Sequence, residues 1–206
     1  MAYRPASAHD ALQHLIEGNA RFLAGNARFD IACKDKLSEL AQAQRPYATI
    51  LGCSDSRVPP EIIFDADLGD LFVIRVAGNV VSAEVLGSLQ YAALHLETPL
   101  FVVLGHEGCG AVAAALDAIH RGQRQASRIQ ALLDGVIPGL EAIEAGLDPV
   151  VELQRGVEAN VRWSMRQLLE TPEAKMRAAE GKMKLVGAVY EIDSGRVRFL
   201  PDADAP

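Results

Sequence analysis

Two short segments of this 206-residue chain concentrate side chains that can do chemistry. Gly52-Cys53-Ser54-Asp55-Ser56-Arg57 offers a thiol, a carboxylate and a guanidinium at alternate positions, and in extended backbone all three project to one side. Gly105-His106-Glu107-Gly108-Cys109-Gly110 offers an imidazole and a second thiol and then runs into an Ala-rich stretch. A helix starting there carries His106 and Cys109 on one face of its first turn, where the positive end of the dipole favours a thiolate. Two thiolates and one imidazole make a soft tetrahedral set suited to zinc, and three protein ligands leave a fourth position for water or a displaceable carboxylate.

Taken singly, these residues have plainer explanations. A histidine beside a buried strand is more often a hydrogen-bonded structural residue than a ligand, and a lone cysteine is usually a small core residue. Asp55 and Arg57 alone would form an ordinary ion pair at a strand end. The coincidence of both clusters at strand ends favours a site. Other cysteine and loop chemistries fail on spacing: a phosphatase-type loop wants its arginine at position 59, where Pro59 stands. Ala111 and Val112 occupy the places where a phosphate-binding loop needs Lys and Ser or Thr.

The elements that must position these groups follow from hydrophobic patterning. His9 to Phe22 carries Leu12, Leu15, Ile16 and Phe22 on one stripe and predicts an amphipathic helix, ending near Gly25-Asn26. Apolar runs at Ala48 to Leu51, Leu71 to Val76, Leu100 to Leu104 and Lys184 to Ile192, bounded by Gly or Pro, predict strands. Helical spacing in Ser82 to Leu96 and Ala111 to Ile119 places helices between strands, which implies a parallel sheet. Asp193-Ser194-Gly195 then signals a hairpin, with Arg196 to Leu200 as an antiparallel edge strand.

Residues 121 to 181 read as helices interrupted by Gly135, Pro138, Gly146 and Pro149. The expected architecture is α/β: one domain over residues 1–206, with a central, mostly parallel sheet of about four strands and an antiparallel edge strand. Helices flank the sheet, residues 1–30 form a helical arm, and 201–206 are a frayed tail. Both chemical segments then fall at the C-terminal ends of strands, where open α/β sheets place ligands.

Composition narrows the partners. Twenty basic against twenty-seven acidic residues leave a net charge of −7 without a basic cluster, which argues against nucleic acid. The most apolar run, Leu100 to Leu104, is far short of the ~20 residues of a membrane-spanning helix. Three cysteines and an N-terminus with no export signal predict reduced thiols and a cytoplasmic location, with Cys33 an incidental thiol. His9, His14, His95 and His120 read as surface or packing residues, and Trp163 as a core residue.

Cys53-x-Asp55-x-Arg57 followed by His106-x-x-Cys109 resembles the paired signature of the β-class carbonic anhydrases. Gly18 to Phe22, Ser54 to Pro59, Gly69 to Phe72, Arg75 to Asn79 and Gly187 to Tyr190 resemble family segments in family order. The resemblance implies one zinc per chain held by Cys53, His106 and Cys109, with Asp55 either filling the fourth position or releasing it to water, according to its pairing with Arg57. It implies reversible hydration of CO2 to bicarbonate by zinc-bound hydroxide, oriented by Asp55.

The same resemblance implies a homodimer, possibly a tetramer, with the N-terminal helices embracing the neighbour. A zinc centre made neutral by two thiolates should acidify water less than one with three imidazoles, so activity should rise toward alkaline pH. Some family members bind regulatory bicarbonate through a Trp, an Arg and a Tyr. The matching positions here are Ile50, Arg75 and Tyr190, and the missing Trp argues against that regulation. Two alternatives remain: hydrolysis of carbonyl sulfide or carbon disulfide on the same scaffold, and a non-catalytic zinc or redox sensor.

Overall fold

The computed structural model describes residues 5–28 and 34–201. In chain order the elements are α1 (Ala8–Leu23), α2 (Lys34–Leu40), β1 (Ala48–Gly52), α3 (Pro60–Ile63), β2 (Leu71–Arg75), a 3-10 turn at Ala77–Asn79, α4 (Ala83–Leu94) and β3 (Leu100–His106). They continue with α5 (Gly110–Arg121), α6 (Ser127–Val136), a 3-10 turn at Ile137–Gly139, α7 (Pro149–Leu169), α8 (Pro172–Ala179), β4 (Lys184–Tyr190) and β5 (Val197–Phe199). Cys33 and the acidic tail after Pro201 lie outside the described residues.

The strands form one sheet in the order β2-β1-β3-β4-β5, parallel except for β5, which runs antiparallel to β4 as the hairpin signal predicts. β1 and β3 are buried along their whole length, which is why they read as unbroken apolar runs rather than as alternating ones. Along β3 the period of two divides the core. Phe101 and Val103 pack with residues of α4, α5 and α7, while Leu100, Val102 and Leu104 pack with Ala11 and Leu15 of α1 on the other face. The chain leaves β1 toward β2 on one side and returns to β3 on the other, so a topological switch point lies between β1 and β3.

Two sequence-based boundaries need correction. Pro149 begins α7 rather than interrupting a helix: proline lacks only an N–H that the first turn leaves unpaired, and the Asp148 side chain caps Val150 and Val151. Gly135 lies inside α6, where a Cβ would sit 3.2 Å from Val80 and where its carbonyl accepts from the Trp163 indole Nε1 at 2.9 Å.

The apolar stripe of α1 is covered only in part within the chain. Ala11 and Leu15 are fully buried beside Tyr47, Phe64 and Leu100, while Leu12 and Phe22 are half-buried and Ile16 is exposed. Asn19 staples this helix down, its Nδ2 donating to Ile63 O (3.1 Å) and Gly195 O (3.0 Å) and its Oδ1 accepting from Val197 N (2.9 Å). Gly18 permits the approach: a Cβ there would sit 1.8 Å from the Phe64 carbonyl oxygen.

An exposed mid-helix Gly→Ala change gains about 1 kcal/mol. Here Gly18→Ala should instead cost about 2–3 kcal/mol through overpacking against backbone, a fall in Tm of roughly 5–10 °C in a thermal melt. An unchanged or raised Tm would contradict the packing of α1 on α3.

Candidate metal centre

β1 ends at Gly52, and Cys53 is the next residue at the mouth of the switch point. Its side chain is buried, and the chain then turns, with Val58 N donating to Asp55 O at 3.1 Å. This turn brings Arg57 back onto Asp55. Arg57 Nε donates to Asp55 Oδ1 at 2.9 Å, Nη2 to Oδ2 at 2.8 Å, and the Arg57 backbone N–H to Oδ1 at 3.0 Å. The Arg57 guanidinium therefore holds the Asp55 carboxyl well below the usual carboxylate range, outweighing the opposing effect of burial.

His106 is the last residue of β3, paired with Tyr190 of β4. Cys109 is the N-cap of α5, in extended backbone. The expectation that both lie on the first helical turn is thus wrong, and their convergence has another cause. Gly108, at φ 65°, turns the chain sharply between a strand end and a helix cap, a conformation that costs glycine nothing.

The ligand atoms of Cys53, His106 and Cys109 all lie within 4.8 Å of one another, and all three residues are buried. Asp55 lies outside that trio but beside it, with Oδ2 3.8 Å from His106 Nε2. His106 Nδ1 is 2.8 Å from the Glu107 carbonyl oxygen, an acceptor, so Nδ1 carries the proton and Nε2 presents a lone pair. That Nε2 is buried and has no hydrogen-bond partner.

The neighbouring Cys109 thiol, against the opposing effect of burial and with help from His106 and the Gly78 N–H, pulls the Cys53 thiol well below its ordinary range. The proximity of Cys53, then burial, push Cys109 up. Burial alone would lower His106, but the Cys53 sulfur and the Glu107 carbonyl outweigh it, leaving that group raised.

Residues 48–197 match the family model described as Carbonic anhydrase. Carbonic anhydrase 2 of Mycobacterium tuberculosis is 43% identical over 194 residues, covering 93% of this chain and 91% of the relative. Solved structures agree. A Coccomyxa β-carbonic anhydrase in complex with acetazolamide superposes with TM-score 0.74 at 29% identity, over 92% of this chain and 86% of that one. One of two tetrameric β-carbonic anhydrases from Sordaria macrospora superposes with TM-score 0.73 at 27% identity, over 93% and 95%.

The chain belongs to the β-class carbonic anhydrases. These are zinc enzymes, and the donor set of this β-carbonic anhydrase fits zinc. Cys53 and Cys109 are free, buried thiols, and the orphaned Nε2 of His106 is a polar atom that burial alone would disfavour.

Sequence reasoning missed two supports of the site. Arg75, which the resemblance places at a position whose regulatory Trp partner is missing, donates from Nε to Cys53 O at 2.9 Å and from Nη2 to Asp55 O at 2.5 Å, so it braces the loop that carries both residues. Gly78 N–H donates to Cys53 Sγ at 3.3 Å. An arginine at the end of the strand adjacent to Cys53 was the available signal for the first, and backbone donors leave no signal in sequence.

The four histidines set aside stay outside the site. His120 is held between Glu152 and the Ile143 carbonyl, and His14 stacks edge-on against Tyr47. No described helix is long and apolar enough to cross a membrane.

Proposed function

We propose that Cys53, His106 and Cys109 hold one zinc ion per chain and that Asp55, fixed by Arg57, is the catalytic carboxylate beside it. The reaction is the reversible hydration of CO2 to bicarbonate and a proton. The observation that carries this reading is the buried, unpartnered His106 Nε2 facing two cysteine sulfurs, with the Asp55 carboxylate 3.8 Å away. Bound there, zinc would supply a Lewis acid that makes water a nucleophile, at a higher pH than a site of three imidazoles because two thiolates offset its charge.

The chain's own groups then fix direction. Asp55 stays ionised, because Arg57 holds it so, and an ionised carboxylate can only accept. It accepts a hydrogen bond from the reacting water and turns the water's lone pair toward CO2. The three Arg57 bonds also hold the carboxylate on the guanidinium, which would keep Asp55 from serving as a further ligand to zinc. Asp55 is 19% exposed and Arg57 53%, so the mouth of the site reaches solvent, and the product proton has a path out.

Arg57→Ala frees the carboxylate to swing toward the metal, and a displacement of about 1 Å at a reacting group costs about a hundredfold. Turnover in stopped-flow CO2 hydration should fall by that order with zinc content unchanged, and parental turnover would contradict the role of Arg57.

A homodimer, paired further into a tetramer, is the proposed assembly, in keeping with the tetrameric description of the Sordaria macrospora enzymes. Exposed Tyr91 and Leu94 on α4 offer apolar surface for such contacts. The proposed location is the cytoplasm, where Cys53 and Cys109 stay reduced and available as ligands. The sulfur-substrate and sensor readings draw no support from relatives that carry the carbonic anhydrase name.

A further inference from the structure

Three polar side chains are buried where an all-apolar face would pack at lower cost. Asn79 is 2% exposed, Asn160 2% and Ser164 1%. Asn160 and Ser164 stand one turn apart on α7, on the same buried stripe as Val157, Val161 and Leu168. Their bonds all go to one short segment. Asn160 Nδ2 donates to Gly78 O at 2.8 Å and lies 3.4 Å from Asn79 Oδ1. Asn79 Nδ2 donates to Ser164 Oγ at 3.1 Å, and the Ser164 hydroxyl donates back to Asn79 O at 3.1 Å.

That segment is strained. Gly78 has φ 66° and Asn79 φ 44°, two consecutive left-handed residues of which one carries a side chain, and such backbone persists only when its surroundings over-determine it. What the strain delivers is the Gly78 N–H aimed at Cys53 Sγ at 3.3 Å. The turn cannot simply slide, since even the position of a Gly78 Cβ would lie 3.0 Å from Ala111 Cβ at the start of α5.

We infer that Asn160 and Ser164 are positioning residues for the metal centre, acting through the Gly78-Asn79 turn to hold an N–H donor on the Cys53 sulfur and so to set how tightly that sulfur is kept as a ligand. The inference goes beyond the proposed function and rests on its assignment of Cys53 as a ligand. An N–H···S bond orients the sulfur and draws off part of its charge. Its loss leaves the thiolate both less fixed and higher in energy.

The test compares Ser164→Ala, Asn160→Ala and the hydroxyl-retaining Ser164→Thr with Leu168→Ala, a control that removes buried volume from the same helix without touching the relay. Zinc retention is read by competition with a chromophoric chelator, and the Cys53 sulfur by the thiolate-to-metal charge-transfer band of cobalt-substituted protein. Both relay variants should hold zinc about tenfold more weakly, the low end of what outer-shell partners contribute. Their charge-transfer band should move to lower energy, Ser164→Thr should restore the parental values, and Leu168→Ala should lose thermal stability alone.

Relay variants that lose stability but keep parental zinc affinity and an unmoved band would overturn the inference and leave the ligand assignment standing. A parent protein with no thiolate band would overturn that assignment and the inference with it.

Discussion

Cys53→Ser should abolish zinc binding at stoichiometric concentration, and with it CO2 hydration. Serine is nearly isosteric and can still accept from the Gly78 N–H, so the fold stands, but its hydroxyl is a poor ligand for zinc in a site built on thiolates. Zinc binds structural sites with about 10–16 kcal/mol, so one of four ligands accounts for about 3–4 kcal/mol, or two to three decades in affinity. Metal analysis after gel filtration measures the loss directly. A thermal melt gives an independent reading: zinc should raise the Tm of the parent by mass action and leave that of the variant unmoved. A variant that retains one zinc per chain would remove Cys53 from the ligand set.

Asp55→Ala should separate the two losses, retaining zinc while turnover falls. The three ligands are intact, and what disappears is the fixed acceptor 3.8 Å from His106 Nε2. Single groups that position a proton or stabilise charge in a transition state contribute about 10²–10³-fold, and a loss of that size in turnover is expected. Asp55→Asn should fall nearly as far. Its amide keeps the shape but offers one acceptor oxygen in place of two and sets an NH2 against the Arg57 fork. Turnover within about threefold of the parent in both variants would mean that Arg57 and Asp55 form only a surface ion pair of the ordinary, weak kind.

Together these substitutions separate holding the metal from using it. Arg57→Ala should cost no more than Asp55→Ala, since it leaves the metal and the carboxylate itself and removes only what aims the carboxylate.

Much of this was legible in the chain itself, for reasons that can be named. β1 and β3 are buried on both faces and so appear as continuous apolar runs, and the turn at Asp193 to Gly195 marks the antiparallel pairing of β4 with β5. Cys53 and His106 stand at or just beyond the ends of these two runs, and the sheet order places the runs side by side at the switch point. Gly18-Asn19, visible as a family segment, acquires its meaning only in three dimensions: close approach to Phe64 and a three-bond staple.

Other features had no local signature. The short α2 and α3 are too brief to show periodicity. His106 and Cys109 meet through a glycine turn between a strand end and a helix cap, which a helical spacing argument imitates for the wrong reason. The hydrogen bonds from Asn160 and Ser164 reach Gly78 and Asn79 across more than eighty residues of chain, and in sequence they read only as polar gaps in an apolar stripe. The stripe of α1, open in sequence to a partner or to its own core, is divided: Leu15 enters the core and Ile16 stays exposed.

The most direct measurement is a zinc titration of the chelator-stripped protein, followed by stopped-flow CO2 hydration at alkaline pH. Turnover should rise linearly with added zinc and break at one equivalent per chain. Full turnover without zinc, or a chain that binds one equivalent and hydrates CO2 no faster than buffer, would contradict a zinc-dependent carbonic anhydrase centred on Cys53, His106 and Cys109.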